Sequence, residues 1–382
     1  MARHPDLVHF ALAVGGFAIG TTEFATMSLL PYFARDLGIS APTAGHAISA
    51  YALGVVLGAP LIAVLSARIA RRTLLIGLML VFAFANGLTG LVPSYRAMLV
   101  LRFISGLPHG AYFGVAMLVA ASLVPGEKRA QAAARVLMGL TVATIIGVPC
   151  ATWLGQAIGW RSCFGVVAVL SLLTASLVAL FAPHQPPEEG ASPLTELSAL
   201  KNRDVLLTLA IGAVGFGGLF TVYTYLANTL LSVTRVSEGI VPLVFAAFGM
   251  GMMSGLVIVP RFAHGRLMRT AGWLLLWFAA TLALYTFAVG QLWSITLSVF
   301  AIGLGGALGP ILQTRLMDVA GKAQTLAAAL NHSAFNVANA LGPLLGGIAI
   351  AHGYGLASTG VVGSGLALAG LAIWAAALKL QR

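Results

Sequence analysis

The chain has 382 residues, of which 59% are hydrophobic and only 8% charged, with a mean hydropathy of +0.97. Soluble domains carry roughly 25% charged residues, and disordered chains are polar and poor in aliphatics, so both classes are excluded. Two cysteines, Cys150 and Cys163, exclude a disulfide framework, a four-cysteine zinc site and an iron–sulfur cluster. A membrane-spanning helix needs about 20 apolar residues. Charged and turn-rich breaks divide the chain into twelve such stretches: 7–33, 41–67, 72–93, 95–124, 130–158, 161–181, 205–232, 239–262, 269–289, 290–316, 322–352 and 356–379. The expected fold is therefore an all-α membrane protein with 12 transmembrane helices. The first stretch is too long for a cleavable signal core and contains Glu23. The longest polar stretch, about 182–204, falls between the sixth and seventh helices and reads as a cytoplasmic linker between residues 1–181 and 205–382.

The net charge of +11 is compatible with nucleic-acid binding only until the charges are placed along the chain. With the N-terminus inside, 16 of the 21 basic residues fall on the cytoplasmic side, 4 outside (Arg35, Arg96, Arg161 and Arg235), and Arg102 lies within a helix. The excess is the positive-inside signal of a multi-pass inner-membrane protein with both termini cytoplasmic, and no nucleic-acid partner is expected. A self-comparison at an offset of 197 residues superimposes Gly54-x3-Gly58 on Gly251-x3-Gly255, Arg72 on Arg269, and Phe103-x2-Gly106-Leu107 on Phe300-x2-Gly303-Leu304. One offset serving several helices points to a duplicated six-helix unit, with a substrate site near mid-membrane between the halves.

In chain order, the first chemically distinctive residue is Glu23, the one acidic residue of the ten placed inside a helix. A carboxylate in lipid is costly, so it faces a polar cavity, pairs, or takes a proton. Either proton coupling or a helix–helix hydrogen bond fits. The turn Ser66-Ala67-Arg68-Ile69-Ala70-Arg71-Arg72 carries three arginines, suited to gating through helix C-termini or simply to topology and lipid phosphate. Arg102, Ser105 or Gly106, and His109 share a face of the fourth helix, where Pro108 loosens the turn. Arg102 and His109 either tune the transported proton, or Arg102 snorkels to the interface and His109 is a satisfied buried histidine. Thr221, Tyr223, Thr224 and Tyr225 offer contacts on the seventh helix. On the eleventh, His332, Asn336, Asn339 and Pro343 form a polar stripe that can bind a sugar, nucleoside or drug heteroatom, or a neighbouring helix. Thr22, Thr26 and Tyr112 join Tyr223, His332, Asn336 and Asn339 as the expected cavity lining. No phosphate loop, nucleophile elbow or His-Glu-x-x-His is present, so neither an enzyme nor an ATP-driven pump is expected.

These residues resemble the major facilitator superfamily, in particular the drug–proton antiporter branch of arabinose, sugar and nucleoside efflux permeases, over nearly the whole chain. The strings that carry the resemblance are Gly20-Thr-Thr-Glu23-Phe24, Arg102-Phe-Ile-Ser-Gly106-Leu-Pro108-His109-Gly110, and Asn331-His332-Ser333-Ala334-Phe335-Asn336 with Asn339 and Gly342. Gly139, Gly147, Pro149 and Gly155 resemble the family's fifth-helix antiporter motif in part. The resemblance implies two pseudo-symmetric six-helix bundles, proton coupling through Arg102, bending at Gly147 and Pro149, and gating by Arg68, Arg71 and Arg72. Ala67 stands where the family usually carries an aspartate, and Ser105 where it carries a glutamine, so a latch based on that aspartate is not expected here. The function expected is proton-coupled efflux of a small molecule by a monomer with no cofactor but the proton gradient. The alternative is an uncoupled facilitator or importer of a sugar or nucleoside.

Overall fold

A computed structural model of the chain describes residues 5–66, 69–125, 128–184, 201–263, 266–320 and 324–380. Twelve helices among these are long and apolar enough to span a membrane: α1 Pro5–Ser28, α2 Ala41–Ile62, α3 Arg71–Thr89, α4 Tyr95–Ser122, α5 Gln131–Ile158, α6 Arg161–Phe181, α7 Arg203–Thr234, α8 Glu238–Ala263, α9 Leu267–Ala288, α10 Leu292–Val319, α11 Leu330–Tyr354 and α12 Ser358–Leu380. Each corresponds to a stretch expected from hydropathy. The expected first stretch, 7–33, is in fact two pieces, because a separate short helix Leu30–Asp36 follows α1, with Pro31 in its first turn. Most of the expected linker, residues 185–200, lies outside the described residues, as does Arg68.

Polar residues mark several helix starts. Ser40 accepts the amide of Thr43 ahead of α2, Ser94 that of Ala97 at α4, and Asn202 those of Asp204 and Val205 at α7. Each such cap is worth about 1 kcal/mol. Within α5, residues Ala143–Gly147 widen into a π-helical turn just before Pro149. The wider turn makes room for a proline ring that otherwise meets the carbonyl four residues earlier.

The helices form two six-helix bundles, and the sequence repeat is visible as repeated backbone contacts. A Cβ built on Gly54 lies 2.1 Å from the carbonyl oxygen of Phe103, and one on Gly251 lies 2.1 Å from that of Phe300. Gly58 meets Leu107 O at 2.2 Å and Gly255 meets Leu304 O at 2.1 Å; Gly106 meets Tyr51 O at 2.1 Å and Gly303 meets Phe248 O at 2.4 Å. All six contacts obey the 197-residue offset. The α2–α4 and α8–α10 crossings are therefore the same glycine-lined crossing made twice, as small residues allow in lipid. Each bundle keeps its first helix most buried: 72% of the α1 window and 67% of the α7 window are buried, against 33% for α6 and 22% for α12, the least buried of each set.

The principal contacts between bundles are α2 with α11, α5 with α8, and α1 with α7. Ser49 on α2 donates to Ala340 O at 3.0 Å, and Gln156 at the end of α5 donates to Glu238 O at 2.8 Å. Gly249 of α8 lies against the backbone of Thr144 and Ile145. Most of these contacts lie toward the end of the molecule opposite the chain termini, so that end is closed.

Candidate functional site

The site begins with the run Thr21-Thr22-Glu23-Phe24 in α1, all four buried because α1 is packed on both sides. Phe24 crosses to the second bundle, 6.3 Å from the Phe220 ring and 5.6 Å from that of Tyr223. Glu23, 6% exposed, accepts a 3.2 Å hydrogen bond from Nδ2 of Asn339 on α11. That bond joins the two bundles at the level of the carboxyl group. Among the described residues no Lys, Arg or His lies within ion-pair distance of Glu23.

Arg102 is fully buried inside the first bundle. Its Nη1 donates to Thr22 Oγ1 at 3.1 Å, and Thr22 in turn donates to Asn86 Oδ1 at 2.8 Å. The guanidinium stacks 4.2 Å from the centre of the Tyr51 ring, a cation–π arrangement that compensates part of its lost hydration. Its Nε and Nη2 have no hydrogen-bond partner. Arg102 therefore does not snorkel to an interface, and it reaches Glu23 only through the adjacent Thr22. The Tyr51 hydroxyl lies 2.9 Å from Nδ1 of His109, whose ring centre is 6.4 Å from that of His332 in the other bundle. Phe113 stacks on His332 at 5.4 Å with an interplanar angle of 4°. Asn336 donates to the His332 carbonyl at 3.0 Å, and Asn339, one turn on, returns to Glu23. Read in order, Glu23, Thr22, Arg102, Tyr51, His109, His332, Asn336 and Asn339 make a loop of polar groups that crosses between the bundles twice.

Other expected residues sit elsewhere. The Tyr112 hydroxyl donates to Leu12 O at 2.8 Å above Gly15, inside the first bundle and away from the interface. Thr26 donates to Thr22 O at 2.6 Å within its own helix. Tyr223 is 1% exposed among Phe24, Phe245 and Phe248, and its hydroxyl has no partner. Arg72 donates to Ala179 O at the end of α6, in its own bundle. Arg71 begins α3. Gly147 packs against α1, where a Cβ would lie 2.4 Å from Thr21 Oγ1, and Pro149 follows in the next turn. Sequence reasoning missed Tyr51 and Asn86. Asn86 carried a signal, since it is an amide within an apolar helix, whereas nothing in the sequence around Tyr51 reveals that an arginine will stack on it.

The Major Facilitator Superfamily model matches residues 12–273. Inner membrane transport protein YdhP of Escherichia coli (strain K12) is 41% identical over 366 residues, covering 95% of this chain and 93% of that protein. A chloramphenicol resistance protein of Streptomyces lividans is 35% identical over 350 residues, covering 90% and 89%. Among solved structures, the nucleoside transporter NupG superposes with a TM-score of 0.74 at 15% identity, over 97% of this chain and 99% of that one. Twelve spanning helices in two repeated bundles, together with these matches, show that the chain is a multi-pass transporter belonging to the major facilitator superfamily.

Proposed function

We propose that the protein is a proton-coupled exporter of a small molecule, working by alternating access of residues 1–181 against 205–382. The observation that carries the reading is the Glu23–Asn339 bond: one carboxyl group, at the boundary of the two bundles, held by a single neutral donor. A carboxylate so buried with one hydrogen bond is under-solvated, which costs several kcal/mol unless a proton or a substrate donor group supplies the rest. Proton and substrate then compete for the same oxygen atoms, and that competition is the physical basis of exchange. Arg102 acts on Glu23 through Thr22, and His109 and His332 sit where the polar loop passes from one bundle to the other. Tyr223, Asn336 and Asn339 each retain a buried polar atom without a partner, which suits them to an incoming hydroxyl, amide or amine.

With both termini in the cytoplasm, as the distribution of basic residues favours, the closed end faces outward. The similarity to a chloramphenicol resistance protein favours a compact, drug-like or sugar-like cargo over an ion. The transporter works as a monomer in the inner membrane, with the proton gradient as its energy source and no other cofactor.

The test is reconstitution in liposomes under an imposed pH gradient, with uptake of pentoses, nucleosides, chloramphenicol and a lipophilic cation followed for wild type and Glu23→Gln. Proton-driven accumulation lost in Glu23→Gln, with downhill exchange retained, supports the proposal. Equal and gradient-independent flux in both proteins overturns coupling and leaves an uncoupled facilitator.

A further inference from the structure

A second polar feature lies far from Glu23. At the termini end of the second bundle, a cleft of about 710 Å³ opens between the end of α8, the start of α9 and the inner part of α10. Its floor includes Leu267, Met268 and Ile311, and its wall carries Arg266, Arg269 and Arg315. None of the three guanidinium groups has an ion-pair partner among the described residues, and Nε of Arg315 is buried without a hydrogen bond. Asp318, one turn beyond Arg315, also borders the cleft but pairs with none of them. The first turn of α9 has no side-chain cap, so its amide groups and the positive end of its dipole are available to the same space.

The internal repeat places the arginines of this turn differently in the two bundles. At the 197-residue offset, Arg269 corresponds to Arg72, which is occupied with the carbonyl of Ala179. Arg266 corresponds to Ile69 and Arg315 to Leu118, both apolar. Where the second bundle has Gly265 and Met268 the first has Arg68 and Arg71, so the two turns are comparably basic, but in the second bundle Arg266, Arg269 and Arg315 all border one cleft.

We propose that this cleft binds a phosphate-bearing anion, the chemistry common to a phospholipid headgroup and to free phosphate. Arginines at a membrane interface suit such a ligand, because the planar guanidinium pairs with phosphate oxygens in a bidentate way. The apolar floor accommodates the glycerol and first methylenes of a lipid.

The protein is placed in nanodiscs of phosphatidylcholine, with or without phosphatidylglycerol. Retained lipid is read by native mass spectrometry, and the melting temperature is followed on adding inorganic phosphate. Wild type retains phosphatidylglycerol, and Arg269→Gln with Arg315→Gln lowers that retention by roughly thirtyfold, as expected for two interfacial charges. Arg261→Gln, an exposed arginine of the same end outside the cleft lining, leaves it unchanged. If phosphate alone raises the melting temperature of wild type but not of the double variant, the ligand is the free anion. If only phosphatidylglycerol distinguishes them, it is a lipid headgroup. Should the double variant fail to fold, Arg315→Gln alone carries the comparison. Equal retention and equal phosphate response in wild type and the cleft variants, or an equal loss in Arg261→Gln, overturns the site.

Discussion

Arg102 does two things at once, donating to Thr22 in its own plane and stacking on Tyr51 with its face. An ammonium group has no such plane, so Arg102→Lys is expected to lower coupled transport at least tenfold while preserving the charge. Counterflow in liposomes, set beside unchanged expression and monodisperse elution, checks this. Tyr51→Phe separates the two contacts, since it keeps the ring under the guanidinium and removes only the bond to His109. A loss of about 1 kcal/mol in thermal stability is expected. Asp36 gives a different kind of residue-level prediction, at the edge of the membrane. It accepts hydrogen bonds from Arg161 and from Trp160, and these hold its carboxyl below the ordinary value of 3.8. Because the folded state binds this proton less readily than the unfolded chain, the stabilisation is complete above the ordinary carboxylate value and is lost as pH falls through the lowered one. Melting temperatures of wild type and Asp36→Asn should therefore differ near neutrality and converge in strong acid. At this scale Glu23, Arg102 and the α11 amides were legible, because charged and amide groups in apolar helices demand an explanation. Tyr112 was misplaced because a tyrosine in such a helix reads the same whether its hydroxyl faces a cavity or a neighbouring carbonyl.

The elements were legible almost to their ends, since twenty apolar residues between charged turns leave a membrane chain few alternatives. What hydropathy does not reveal is interruption within a helix. The break after Ser28 and the π turn at Ala143–Gly147 arise from Pro31 and Pro149, and neither changes the mean hydropathy of its span. The repeated crossings make a paired prediction. Gly54→Ala and Gly251→Ala place a methyl group against the carbonyls of Phe103 and Phe300, and each should cost about 1–3 kcal/mol from overpacking. Similar losses of melting temperature in the two variants are the outcome expected of equivalent crossings. The turns after α1 and α7 also correspond: Gly38 has φ of +64° and Arg235, 197 residues on, has φ of +59°. Only glycine adopts that conformation without cost, so Gly38→Arg should destabilise by about 1 kcal/mol, while Arg235→Gly should be neutral or stabilising. Thermal melts of the two variants decide it.

Over the whole molecule, the pseudo-symmetry that builds the scaffold is broken where the chemistry lies. Glu23, Tyr51 and Arg102 correspond at the 197-residue offset to Phe220, Phe248 and Val299, so the second bundle answers each polar group with an apolar one. Closure at the end opposite the termini is the global feature that exchange must reverse. Cysteines replacing Ser49 and Ala340, with Cys150 changed to Ser, should cross-link α2 to α11 on oxidation, abolish transport, and restore it on reduction. Full activity of the oxidised protein would show that this closure does not open during the cycle. The solitary carboxyl group at the bundle boundary also has an electrical consequence. Under the proposed coupling, a turnover that admits one proton and expels a neutral cargo moves one positive charge inward, so it is driven by membrane voltage at about 2.3 kcal/mol per 100 mV. Exchange of one proton for a monovalent cation moves no net charge. Clamping the voltage at constant pH should therefore sort the cargoes of this transporter into those whose flux follows the potential and those that ignore it.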